Sequence, residues 1–205
     1  MKNFDNSFLS EKVKLVAGID EAGRGPLAGP VVAASVIFNP HVFIEGVNDS
    51  KKLTSEKRDE LFEIIKEKAL CWSASVVDHK EIDKINILQA TLKAMKRSFE
   101  ELKIRPDLIL IDGNKTFYSK ITAVPVIDGD EKSFCIAAAS IIAKVTRDGI
   151  MCSLAEQYPQ YGWEKNKGYG TKEHINALKI FGPTPYHRKT FLRKIFTVQD
   201  EFEFK

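Results

Sequence analysis

The sequence predicts an α/β domain built on a mixed central sheet flanked by helices, with a helical extension at its C-terminal end. Three observations predict it. Short β-rich runs crowd the first eighty residues. Apolar strands and helical periodicity then alternate, and after about residue 160 only helical signals remain.

Residues 14–20 read as a first strand ending in acids. A Gly- and Pro-rich turn separates it from a second strand over 31–38, and 71–77 alternates enough to be a third. No long crossover joins the first two strands, so they are expected to be antiparallel neighbours. Thr54 can cap a helix over 55–70, where Leu61, Ile64, Ile65 and Lys68 keep helical spacing. The next helix is expected over 86–102. Its Leu88, Leu92, Met95, Phe99 and Leu102 form a core-facing stripe, and Arg105-Pro106 ends it. Residues 108–112 are a short apolar strand ending on Asp112, suited to a buried central position. A further strand is expected over 121–127 and a long helix over 133–157. Thr171 can cap a last helix over 172–181, which Gly182-Pro183 stops. The charged tail 199–205 receives no function.

A length of 205 residues suits one compact unit, and 43% hydrophobic residues are enough for its core. No stretch approaches a membrane span, and the polar N-terminus does not read as a signal peptide, so a cytoplasmic location is expected. Cys71, Cys135 and Cys152 have no metal-ligand spacing and mostly apolar neighbours, so buried reduced thiols are expected. His41, His79, His174 and His187 form no zinc motif. A net charge of +3 permits a nucleic-acid partner without establishing one.

The chemistry-bearing residues are acids at strand ends. Asp20 and Glu21 close the first strand, Asp112 closes the buried one, and Asp130 lies between the next strand and the long helix. Each of them singly is equally a loop or helix cap. Together, at the ends of adjacent strands, they converge. Two carboxylates ~4 Å apart repel by about 4 kcal/mol at an effective dielectric of ~20, so such a cluster calls for cations or retained protons. Carboxylate oxygens suit magnesium or manganese, and a pair of such ions suits phosphodiester hydrolysis. The turn Gly23-Arg24-Gly25 follows directly. It is neither a Walker A loop nor a dinucleotide fingerprint, because the spacing is wrong and a strand follows. Its glycines let a backbone approach a ligand closely, and Arg24 could reach a phosphate.

The run from Gly18 to Val32 (Gly-Ile-Asp-Glu-Ala-Gly-Arg-Gly-Pro-Leu-Ala-Gly-Pro-Val-Val) closely resembles the signature of the ribonuclease HII family. The resemblance continues through Asp49 to Leu53, Ile111 to Asn114, Gly129-Asp130, Ala137 to Asp148, Lys167 to His174 and Gly182 to Arg188. These blocks follow the family's order across nearly the whole chain. The resemblance implies a ribonuclease H-like catalytic domain over 1–160 and a helical extension over 161–205 packed on it as one unit. It places the family's four catalytic, metal-binding acids on Asp20, Glu21, Asp112 and Asp130, with two Mn²⁺ or Mg²⁺ ions during catalysis. Asp20 is the acid expected to bridge them. It implies substrate contacts at Gly23, Arg24, Gly25, Ser50, Lys51 and Tyr169. The substrates implied are RNA–DNA hybrids and duplex DNA with embedded ribonucleotides, cut 5′ of the ribonucleotide, by a monomer with no membrane partner. Lys52, Lys144, Arg188 and Lys189 complete the expected phosphate-binding patch, whereas Asp148, well along a helix, reads as structural. Two positions depart from the pattern: Glu131 stands where the family often has Ser, and Thr190 replaces another Ser. Two rival readings are another ribonuclease H-like nuclease and an inactive nucleic-acid-binding relative. The Gly-Arg-Gly block and the four acids argue against both.

Overall fold

The computed structural model describes residues 1–193, 195 and 196; the charged tail 199–205 lies outside the described residues. In chain order the elements are α1 (Lys2–Asn6), β1 (Val16–Ala22), β2 (Val31–Ile37), α2 (Ser55–Lys68), β3 (Cys71–Val77), α3 (His79–Ile85) and α4 (Ile87–Glu100). They continue with β4 (Leu108–Asp112), β5 (Ala123–Val126), α5 (Gly129–Lys132), α6 (Phe134–Gln157), α7 (Trp163–Asn166), α8 (Lys172–Phe181) and α9 (Lys189–Leu192). The sheet order is β3-β2-β1-β4-β5. β2 is antiparallel to β1 and β3, as the short β1–β2 connection requires, while β4 runs parallel to β1 and β5. Pro125 lies in the edge strand β5, where a missing ladder donor is tolerated.

The two faces of the sheet are covered by different helices. Ala17, Ile19, Val31 and Ala33 pack against Ala90, Ala94, Met95 and Phe99 of α4. On the other face, Ala34 and Val36 meet Leu61 and Ile65 of α2 and Phe134, Ala138 and Ile142 of α6. The first half of α6 is apolar all round because it is buried all round. Ser133 starts it, accepting a hydrogen bond from the Ile136 amide. The α6 backbone presses onto β1 at Gly18, where a Cβ would stand 2.1 Å from the carbonyl carbon of Cys135. Side chains alternate along a strand, so Asp20 shares the α6 face with Gly18 and Glu21 shares the α4 face with Ile19. A third cluster joins Ala28, Met151 and Leu154 to Tyr161, Trp163, Leu178 and Leu192, tying the C-terminal helices to the loop after β1. Among the described residues no helix is long and apolar enough to cross a membrane.

Several local expectations change. The helix expected over 86–102 is α4 alone, preceded by a separate α3. Asn86, at φ 67°, separates them and caps α4 by accepting from the Gln89 amide. α1 was not anticipated. It is anchored by buried Asp5, which accepts from the amide of Cys135. Cys71 and Cys135 are buried, but Cys152 is exposed, its sulfur 2.9 Å from Lys167 Nζ.

Candidate active site at the ends of β1 and β4

Parallel pairing sets Ile19 beside Ile111, so the next residues, Asp20 and Asp112, emerge together at the end of the sheet. One carboxylate oxygen from each of Asp20, Glu21 and Asp112 lies within 4.8 Å of the others. Asp20 is buried, and its Oδ1 accepts from the Glu21 amide at 2.7 Å. Asp112 Oδ1 accepts from the Gly129 amide, also at 2.7 Å. That approach needs a glycine, since a Cβ at 129 would stand 3.0 Å from this oxygen and 2.6 Å from Ile136 Cδ1. Glu21 Oε1 faces Arg24 at 3.3 Å.

Burial pushes the Asp20 carboxyl well above the usual carboxylate range, and the charges of Glu21 and Asp112 push it further. Glu21 is raised by burial and by Asp112, against the opposing pull of Arg24. Asp112 is raised by burial and by Asp130, with the Gly129 amide opposing. Such a trio wants cations. Its oxygen-only donor set fits a hard divalent ion such as magnesium or manganese and not a site selective for zinc.

Asp130 stands beside this trio, buried on α5. Its Oδ2 holds Lys51 Nζ at 3.0 Å, with Asp49 Oδ1 4.0 Å from the same ammonium. Partial burial works against the Lys51 charge, but Asp130 outweighs it and holds the pKa above the usual lysine range. Glu131, the departure from the family pattern, is half exposed and paired with Lys52 at 2.7 Å. Lys144 pairs with Asp148 along α6 at 2.9 Å. Ser50 is buried, and its hydroxyl lies 2.7 Å from that of Ser140. Ser140 in turn weakly lowers the Asp20 carboxyl pKa, against the burial that raises it. Ser50 and Ser140 thus line the same cleft as Asp20 and Lys51.

The glycine turn is held from beneath by two buried arginines. Arg188 donates from Nε to the Gly29 carbonyl (3.0 Å), from one terminal nitrogen to Arg24 (3.0 Å), and from the other to Gly23 (2.7 Å) and Pro30 (3.0 Å). Arg147 donates to the carbonyls of Pro30, Lys167 and Ala28. Arg188 is 0% exposed, so its expected place in a phosphate-binding patch is corrected: all its reach is spent on backbone carbonyls. Burial, then the neighbouring Arg147, pushes its pKa down, with Asp83 opposing. Gly23 adopts φ +100°, and a Cβ there would stand 2.1 Å from Arg147 Nε. Peptide groups are planar and trans, so carbonyls drawn toward Arg188 turn the amides of Arg24 and Gly25 the opposite way. The half-exposed Tyr169 ring lies over Gly25, its Cε1 3.6 Å from where a Cβ would be. Asp20, Glu21, Gly23, Gly25, Lys51 and Tyr169 line one cleft of about 200 Å³.

Sequence reasoning missed Ser140, the Gly129 amide and the anchoring work of both arginines. The signal for Arg147 was weak, since it is one of four charged residues on α6 and nothing local marks it as the buried one.

Comparison with known proteins agrees with this geometry. The ribonuclease HII family model matches residues 17–198. Ribonuclease HII of Caldanaerobacter subterraneus subsp. tengcongensis is 52% identical over 95% of this chain and 81% of its own length. That of Clostridioides difficile is 53% identical over 94% of this chain and 75% of its own. The crystal structure of ribonuclease H2 from Pyrococcus horikoshii superposes with a TM-score of 0.75 at 30% identity, covering 93% of this chain and all of that one.

Proposed function

The chain belongs to the ribonuclease HII family of metal-dependent endoribonucleases, and we propose that it hydrolyses the RNA strand of RNA–DNA hybrids at the Asp20–Glu21–Asp112 cluster. The finer reading is that it also cuts 5′ of ribonucleotides embedded in duplex DNA, leaving 3′-hydroxyl and 5′-phosphate ends. The observation that carries it is the meeting of three carboxylates with a backbone turn and a tyrosine ring in one cleft.

Asp20, Glu21, Asp112 and Asp130 would hold Mg²⁺ or Mn²⁺. Two such ions, when bound, would offset the acids' charge, activate water and stabilise the leaving oxygen. Glu21 lies on the opposite face of β1 from Asp20, so the two carboxylates reach the cluster from opposite sides of the strand. The Gly129 amide holds Asp112 in place, and the Ser50–Ser140 pair lines the cleft beside Asp20.

The amides of Arg24 and Gly25, turned away from Arg188, are the donors for a 2′-hydroxyl, the group that distinguishes RNA from DNA. Tyr169 stacks on the neighbouring nucleotide. A site built to satisfy a hydroxyl leaves its own groups unpaired when the hydroxyl is missing, and discrimination of ~10⁴ follows from that. Lys51, whose side chain is 77% exposed although its ammonium is held by Asp130, would contact a phosphate. The C-terminal residues act as part of the same unit, because Arg188 shapes the turn.

The deciding experiment compares a DNA duplex carrying one ribonucleotide, the all-DNA duplex and a long hybrid, each with metal and with excess chelator. Cutting 5′ of the ribonucleotide only with metal is expected. Equal cutting of the all-DNA duplex would overturn the substrate reading, and undiminished cutting in chelator would overturn the metal reading.

A further inference from the structure

Behind Tyr169 lies a buried pair of histidines that the reaction does not touch. His174 Nε2 is 3.0 Å from His187 Nε2. The Thr184 amide donates to His187 Nδ1 at 2.9 Å. An amide can only donate, so His187 Nδ1 carries no proton and its Nε2 does. That proton points at His174 Nε2, which must be bare. The indole N–H of Trp163 reaches the same nitrogen at 3.1 Å and demands the same state. The proton of His174 therefore sits on Nδ1 and is donated to the Tyr169 carbonyl at 2.9 Å. One backbone amide thus sets a one-way relay from Thr184 through both rings to Tyr169. Both rings are buried, and burial lowers both pKa values, that of His187 to about 3.

The relay ends on a carbonyl that also accepts from the Thr171 amide at 2.8 Å, while the Tyr169 amide donates to the Asn166 carbonyl at 2.8 Å. Tyr169 stands between Gly168, at φ +84°, and Gly170. Glycines give that segment freedom, which these local bonds restrict and the His174 bond restricts further. The backbone beside His187 also grips the turn side: the Arg188 amide donates to the Leu27 carbonyl and the Gly29 amide to that of Tyr186. The Leu27 amide closes the circuit on the Gly168 carbonyl.

We propose that His174 and His187 are positioning residues for ribonucleotide selection: His174 tethers the Tyr169 backbone so that the ring stands over Gly25, and His187 fixes the tautomer that makes the tether. This rests on the reading of Tyr169 as the residue that grips the ribonucleotide junction. Substrates with one acceptable register depend on that placement, whereas a long hybrid offers many registers.

Two variants of His174 separate tethering from packing. His174→Gln keeps an acceptor near the Nε2 position for Trp163 and His187 but loses the donor to Tyr169. His174→Asn keeps a donor near Nδ1 and loses the inner contacts. The measurements are melting temperature and the ratio of kcat/KM on a single-ribonucleotide duplex to that on a long hybrid, for both variants, Tyr169→Ala and the parent. His174→Gln is expected to melt near the parent yet lower the ratio about tenfold, mostly through KM, the scale of one lost hydrogen bond. His174→Asn is expected to melt lower and keep the ratio. A ratio that tracks melting temperature across the two variants overturns the tether. If Tyr169→Ala lowers the ratio and His174→Gln does not, the inference alone fails. If neither lowers it, the reading of Tyr169 fails and takes the inference with it. Nitrogen-15 imidazole spectra give a readout independent of substrate: neutral His174 protonated on Nδ1 and neutral His187 on Nε2 at pH 6 are expected, and the opposite tautomer at His174 overturns the relay.

Discussion

Asp112→Asn should make the metal-free protein more stable while abolishing its chemistry. The ligand oxygens of Asp20, Glu21 and Asp112 lie within 4.8 Å of one another. At that separation or less and an effective dielectric of ~20, each fully ionised pair costs at least ~3.5 kcal/mol. Retained protons and Arg24 relieve part of this, so a gain of about 2 kcal/mol is expected, or roughly 4–8 °C for a domain of this size. Asparagine keeps an oxygen to accept from the Gly129 amide, so the local hydrogen bond survives. The pH dependence identifies the cause. Each acid is raised above its unfolded value, so between the two values the folded state binds more protons than the unfolded state. Stability of the metal-free parent therefore falls as pH climbs from about 4 through the raised values. The gain from Asp112→Asn should be small at pH 5 and larger at pH 8. The assay is thermal unfolding of both proteins at the two pH values, in chelator and in millimolar Mg²⁺ or Mn²⁺. Metal should raise the parent's melting temperature and move the variant much less. A variant that melts below the parent in chelator at pH 8, or that gains equally at both pH values, refutes charge crowding.

Three further outcomes are expected. Asp130→Asn removes the partner of a lysine that is largely exposed, so it should cost metal-free stability no more than ~1 kcal/mol, and a gain as large as that of Asp112→Asn would place Asp130 inside the repelling trio. Arg188→Met leaves several buried carbonyls without a donor. It should cost at least ~3 kcal/mol by urea unfolding, whereas a loss under ~1 kcal/mol would mean the turn holds itself. His187 is depressed below its unfolded value, so its contribution is present above about pH 6.5 and is lost as pH falls toward about 3, by up to ~1.4 kcal/mol per unit. Replacing it with asparagine should flatten that acid limb of the urea-unfolding stability profile, and an unchanged slope assigns the limb elsewhere.

Where the sequence was readable, a strong local pattern met no competing tertiary demand. The apolar run ending on Asp112 and the stripe along α4 declare their burial in residue type alone. Asp20, Glu21 and Asp112 were legible as a group because strand ends in a parallel pair have one place to go. α3 was not, since between His79 and Ile85 only Ile82 and Ile85 are apolar, too few to show a period. Arg188 was misread for a physical reason: an arginine's charge says surface, and only the ring of carbonyls around it says otherwise. The ion pair between Lys51 and Asp130 joins residues 79 apart in the chain, a separation that no local pattern encodes. Ser50 carried the same difficulty, because its partner Ser140 lies 90 residues away.

The contact of Arg188 with the Gly23 carbonyl spans 165 positions. A chain made from its N-terminus completes all five strands by Val126 and α6 by Gln157, so the acids can meet while the turn beside them still lacks its anchor. Contacts this distant in sequence carry the largest loop-closure cost and form late. On the proposed reading of the turn, a nascent enzyme would acquire its acids before its selectivity, with docking of the last helices as the step that completes the site.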